Sequence, residues 1–311
     1  MARVAFVYGG PGAALGEIGR DLYNKVLPVR HALDRADKAM ASEGFKATKA
    51  CFLGTPEAMA RPSVAGPAIF ALSQGITDAL IGRKIFPEMV CGHGWGELVA
   101  LGCMGAIPFE DGLRFLKKRG EILESAWADD PFDVASVSGI SVSELARILE
   151  PLPKPPLIVA ENSPEDCVLA GEPGILDKIL PLLAARHAKL GPLTPGYAWP
   201  HPSLARAGER VAVEFSALKV ERKGSWEAYS CSPAGRIVDF QLFVSRQADL
   251  CVKPIDFRGA VGVMRAEKMD TVVEIGPSSF LGAAARRLDN GIRALASEDA
   301  KALAFSLKLA I

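Results

Sequence analysis

The 311-residue chain lacks any imbalance of charge: 36 Lys and Arg stand against 36 Asp and Glu. A balanced surface projects no long-range field, which argues against a general binder of nucleic acid or membrane surfaces. The six cysteines (Cys51, Cys91, Cys103, Cys167, Cys231 and Cys251) are scattered, and none is paired as C-x-x-C. That scatter argues against a zinc site or a disulfide framework; reduced thiols in a cytoplasmic protein are the simple expectation. No metal and no cofactor are expected. No apolar run is expected to reach the roughly 20 residues of a membrane span. The opening "MARVAFVYGG" ends its strand-length apolar run in glycines rather than in a cleavage site. Internal repeats and low-complexity tracts are also missing. What is there is a chain that is 49% hydrophobic, with ample material for a core.

Strand-like and helix-like runs alternate, which favours an α/β fold with a mainly parallel sheet. "RVAFVYGG" reads as a buried strand. Helical spacing follows at Ile18, Leu22, Val26, Val29 and Leu33, and Pro28 divides this segment into two shorter helices. "AGPAIFALSQGITDALIG" reads as a helix with Pro67 in its first turn. From Asp133 the rhythm changes: "DVASVSGI", "SVSELARILE", "PLIVAENSP", "DCVLAGE", "PGILDKILPLLAARHA" and "KLGPLTPG" run strand, helix, strand, strand, helix, strand. Ser141 and Glu144 supply a capping box for the first of those helices. This βαββαβ order is the ferredoxin-like signature. The expected organisation is a large core of residues 1–132 and 198–311 around an inserted small domain of 133–197.

"PEMVCGHGWGELVALGCMGA" is a buried strand, a tight glycine turn and a helix. Such an elbow presents a nucleophile above a sheet, with free backbone N–H groups at the helix start facing developing negative charge. Its central position is Gly94, which supplies no reacting atom. From these residues alone the stretch is equally a plain glycine turn. Neither "GHGWGE" nor "YGGPGAALG" has the G-x-G-x-x-G spacing of a dinucleotide fingerprint.

The surroundings of the elbow point to a family. "AFVYGGPGAALGEIGRDLY" is similar to F-P-G-Q-G-S-Q…G-M-G-R-D-L, and "GHGWGELVALGCMGAIPFEDGLRFLKKRGEIL" to G-H-S-x-G-E…G-A-L-S-F-E-D-A-L…R-G. "GPAIFALS", "IVAENSPEDCVLAGE", "AWPHPSL", "VKPIDFRGAV" and "VVEIGPSSFL" continue the match in order. The chain thus resembles, along nearly its whole length, the malonyl-CoA:acyl carrier protein transacylases and the acyltransferases of polyketide synthases. The resemblance implies a hydrolase-like α/β core with a ferredoxin-like insertion, acting in fatty-acid or polyketide biosynthesis. It also implies malonyl-CoA or a related acyl-CoA and a phosphopantetheinylated acyl carrier protein as partners, with neither nucleic acid nor membrane. In the family a serine in the elbow carries malonyl between the two thiols. A histidine acts as base, an arginine pairs with the malonyl carboxylate, and two backbone N–H groups form the oxyanion hole.

Carried over by residue, the pattern splits. Arg119 stands at the carboxylate-binding position and His201 at the base position, with His93 beside the elbow. The serine position is Gly94. One oxyanion donor maps to Pro11, which has no N–H; the other survives as the amide of Trp95, whose indole also narrows the pocket. No neighbour replaces the serine: Cys91 points into the core, Cys103 lies a helix away, and Ser278 and Ser279 only border the pocket. The primary expectation is an acyltransferase-family enzyme whose covalent route is lost or rerouted through His201 and Arg119 to direct transfer, hydrolysis or decarboxylation. The alternatives are an inactive scaffold that docks a carrier protein, with Arg114, Lys117 and Lys118 as a basic face, or an engineered nucleophile mutant.

Overall fold

The N-terminal apolar run forms β1 (Val4–Tyr8), with every residue buried, inside a six-stranded sheet. The other strands, in chain order, are β2 (Met89–Gly92), β3 (Asp133–Ser138), β4 (Leu157–Ser163), β5 (Asp166–Gly171) and β6 (Lys189–Pro192). They continue with β7 (Glu227–Cys231), β8 (Ala234–Ile237), β9 (Ile255–Asp256), β10 (Thr271–Ile275) and β11 (Arg293–Leu295). The large sheet has the order β11-β10-β1-β2-β7-β8, parallel throughout except at the β7–β8 edge. Strands covered on both faces read as continuous apolar runs, which is why β1 and β10 show no alternation. The coordinates are a computed structural model that describes residues 2–10, 17–193, 199–221, 224–232, 234–238 and 243–310.

The second sheet has the order β6-β3-β5-β4-β9. Its first four strands pair antiparallel, and two helices, Val142–Leu149 and Ile175–Ala184, cover it. Ser141 Oγ accepts from the Glu144 N–H at 3.2 Å, so the expected cap forms. Val137, Leu145, Leu149, Leu169, Ile179 and Leu183 make a separate apolar cluster there. The fifth strand, β9, comes from beyond residue 197 and pairs parallel with β4. The small sheet is therefore completed by the large core rather than by residues 133–197 alone. That pairing carries Ile255 to the junction of the two sheets.

Two sequence expectations change. Pro67 lies inside a helix, Pro62–Gly82, that begins five residues earlier, with Pro62 in its first turn. By length and composition this 21-residue helix is apolar enough to cross a membrane, contrary to the expectation that no run would be; 78% of its most apolar window is buried inside the protein. The division at Pro28 is seen as helices Arg20–Lys25 and Leu27–Ala39.

The long helix is buried by close packing at glycines. A Cβ at Gly120, on helix Phe109–Asp129, would lie 2.1 Å from Ser63 N, and one at Gly75 would lie 2.4 Å from Val29 Cα. Backbone cannot move aside cheaply, so Gly120→Ala is expected to lower unfolding stability by about 1–3 kcal/mol in urea titrations. Gly82→Ala, at a position with open space, is expected to change stability by less than about 1 kcal/mol. Equal effects at both sites would contradict the packing account.

Candidate functional site

The elbow is set by backbone geometry. β2 ends at Gly92, and the His93 N–H donates to Tyr8 O at 2.9 Å. Gly94 turns left-handed, with φ +58°. Gly96 and Glu97 then donate to His93 O and Gly94 O, which starts the helix Gly96–Cys103. The helix lies hard on the strands: a Cβ at Gly92 would sit 2.0 Å from Glu97 N, and one at Gly96 would sit 2.3 Å from Tyr8 O. Whatever stands at position 94 is thereby turned toward Ile255, whose Cδ1 would lie 2.9 Å from a Cβ there. An isoleucine methyl from β9 occupies the space beside Gly94.

A cavity of about 370 Å³ opens beside the turn, with His93, Gly94 and Trp95 on one wall. Asn162 and Asp166 of the small sheet and Glu274 of β10 form others. Asn162 Nδ2 donates to Asp166 Oδ1 at 3.0 Å, which orients the amide. Its Oδ1 therefore faces His93 Nε2 at 2.8 Å, and His93 must donate there. Burial pulls the His93 pKa down against the raising effects of Asn162 and Asp166, so the ring is neutral at pH 7. Glu274 is buried; Gly282 N–H donates to its Oε2 at 2.8 Å, while its Oε1 has no hydrogen-bond partner among the described residues. Burial pushes this carboxyl up to about 7.

The sequence-based candidates fall into two groups. Gly94, Trp95 and His93 line the cavity; His201 and Arg119 are not among its described lining residues. They meet instead at Cys251, on the helix Phe243–Val252. The His201 N–H donates to Cys251 O at 2.9 Å, and Arg119 Nη2 donates to Cys251 Sγ at 3.9 Å. Arg119 is buried and its Nε is unpartnered among the described residues. Desolvation lowers its pKa, against a raising effect from Cys251. His201 is half-buried, stacked on Phe132 at 4.2 Å. Its Nδ1 lies 2.9 Å from Ser203 Oγ and 3.3 Å from Ser203 N. Burial also lowers the His201 pKa, against Asp130.

The remaining candidates are soon placed. Pro11 lies outside the described residues. Cys91 is buried, with Sγ 3.4 Å from Cys231 Sγ, and all six cysteines are free thiols. Burial raises the Cys103 pKa well above the ordinary thiol value, so this thiol stays protonated. Ser278 lines the cavity; its Oγ accepts from the Phe280 N–H at 3.1 Å. Arg114 and Lys117 pair with Glu43, and Lys117 also with Glu121, so much of that basic face is neutralised. Among the described residues no group of three or more His, Cys, Asp or Glu is placed to hold a metal.

Sequence reasoning passed over Ile255, Asn162, Asp166 and Glu274. All four lie inside the quoted motif segments, "VKPIDFRGAV", "IVAENSPEDCVLAGE" and "VVEIGPSSFL". The motifs marked their neighbourhood; only the meeting of the two sheets puts them around one cavity.

Strand, left-handed turn and helix on a largely parallel sheet, joined to a second sheet across a cavity, define an α/β protein with its candidate site at the turn. The chain belongs to the family described as "Acyl transferase domain", whose profile matches residues 5–302. It is 22% identical over 312 residues to the malonyl CoA-acyl carrier protein transacylase of Bacillus subtilis, covering 99% of this chain and 97% of that protein. A 229-residue stretch is 28% identical to part of the erythronolide synthase EryA2 of Saccharopolyspora erythraea, covering 73% of this chain and 6% of the synthase. In fold it is similar to the crystal structure of the Clostridium perfringens malonyl CoA-acyl carrier protein transacylase, with a TM-score of 0.87, 23% identity and 99% and 97% of the two chains covered.

Beneath the elbow, Glu97 is buried, with Arg246 Nε 3.7 Å from its Oε1. Burial raises its pKa from 4.5 to about 7, against Ser230 and Arg246. A raised carboxyl pKa means that folding takes up a proton between those values, so its contribution to stability falls as pH rises through that window. Glu97→Gln removes the titration. Its stability relative to wild type is expected to rise by on the order of 3 kcal/mol between pH 4.5 and pH 8 in urea titrations. A pH-independent difference would show that Glu97 does not carry the raised pKa.

Proposed function

We propose that this acyltransferase-family protein binds malonyl-type thioesters of coenzyme A and of an acyl carrier protein, in fatty-acid or polyketide biosynthesis, without forming a covalent acyl-enzyme. The observation that carries this reading is Gly94 in the left-handed turn with Ile255 Cδ1 against it. Position 94 has no oxygen to acylate, and a methyl takes the neighbouring space. The malonyl CoA-acyl carrier protein transacylase relatives name the same substrate class and the same kind of partner. In domain terms the reading is a hydrolase-like core of 1–132 and 198–311 with an inserted ferredoxin-like domain of 133–197.

A second reading, non-covalent hydrolysis or decarboxylation, is favoured by Glu274: a carboxyl with a pKa of about 7 in the cavity wall is matched to moving a proton at neutral pH. Release of coenzyme A or carbon dioxide from bound malonyl-CoA separates the two.

The test is a graded restoration of the nucleophile, read by transfer of labelled malonyl to protein. Wild type is expected to take up none. Gly94→Ser is expected to take up label only weakly: a serine at φ +58° costs about 1–2 kcal/mol and must displace Ile255. Adding Ile255→Ala to Gly94→Ser is expected to raise the rate above that of the single variant. Labelling of the wild type, or full transacylase activity from Gly94→Ser alone, would overturn this reading.

A further inference from the structure

Two residues that line the cavity each carry a buried polar atom without a hydrogen-bond partner among the described residues: Trp95 at Nε1 and Glu274 at Oε1. An indole N–H can only donate, and it has no second state that removes the unmet bond. Leaving such a group dry inside a protein is costly, and native structures usually meet it with protein, water or ligand. Trp95 is 3% exposed, so bulk solvent does not do so.

The position of the indole is built rather than incidental. Trp95 is the N-cap residue of the helix Gly96–Cys103, and its carbonyl accepts from the Leu98 N–H at 3.0 Å. Gly10, just past β1, lies along the N–H edge of the ring: a Cβ there would be 3.7 Å from Nε1 and 3.9 Å from Cδ1. Phenylalanine would supply a similar apolar face without an unmet donor. Across the cavity, Val168, Leu193, Leu281 and Ile255 make much of the wall apolar. A space with two orphaned polar groups in apolar walls is made for a guest with polar atoms of its own, since dry cavities are apolar throughout.

We propose that Trp95 Nε1–H donates a hydrogen bond to a carbonyl oxygen of the thioester held in this cavity. The contact comes from the side chain one residue past the vacant nucleophile position. It makes Trp95 a ligand-binding residue through its ring as well as through its backbone. The proposal rests on the reading that the cavity takes acyl thioesters.

The experiment compares wild type with Trp95→Phe for binding of acetyl-CoA and malonyl-CoA by calorimetry. Acetyl-CoA carries the carbonyl without the second carboxylate. Phenylalanine keeps the apolar ring, and Trp95→Phe is expected to weaken both ligands by about five- to tenfold. A second readout uses the unaltered protein: the indole 1H–15N resonance of Trp95, assigned by elimination with Trp127→Phe, Trp199→Phe and Trp226→Phe. It is expected to move downfield on adding acetyl-CoA, while that of Trp127, whose Nε1 already donates to Phe132 O at 3.0 Å, stays in place. Equal affinities with an unmoved Trp95 resonance would overturn the proposal and leave the thioester reading standing. Failure of wild type to bind either thioester would overturn both.

Discussion

The helix Gly96–Cys103 lies so close over the ends of β1 and β2 that no side chain fits between them, and the site depends on that approach. Gly92 and Gly96 are the two contact points, each with main chain inside the space a Cβ would need. Packed this tightly, the chain can leave the strand and enter the helix only through a left-handed residue, which is Gly94. The same turn aims position 94 at the junction with the small sheet. The geometry of a nucleophile elbow is thus kept by contacts that do not involve the nucleophile. The turn stands without a side chain at position 94, and Ile255 lies against it.

Around that vacancy the polar groups are unevenly retained. Asp166, Asn162 and His93 form a continuous hydrogen-bonded line along the cavity wall, which fixes the neutral imidazole in one tautomer. Arg119 and His201 are both tied to Cys251 and are not among the described lining residues. Burying Arg119 and Glu274 with incomplete partners works against stability, since each prefers water to an apolar interior. Such groups are expected where a ligand completes the hydrogen bonding. On the proposed reading, recognition of a thioester survives in a fold that has lost the atom to which the acyl group would be attached.

Much of this was legible before any coordinates. Periodicity alone placed β1, β2 and the alternation of strands and helices between Asp133 and Pro192, because strands buried on both faces and amphipathic helices leave different spacings. The glycine elbow was legible too, since only glycines permit so close a helix-on-strand contact. The start of the helix Pro62–Gly82 was not: Pro67 resembled a first-turn proline, but tertiary packing continues the helix through it. Nor did the pattern reveal that β9, two residues long, completes the small sheet, since so short a pairing carries no period. Ile255 at the vacancy follows from that pairing alone.

The most direct measurement is the intact mass of the wild-type protein after incubation with saturating malonyl-CoA, paired with calorimetric titration of the same ligand. The account expects heat of binding and an unchanged protein mass. A protein population heavier by one malonyl group would contradict it, whatever residue carried the group.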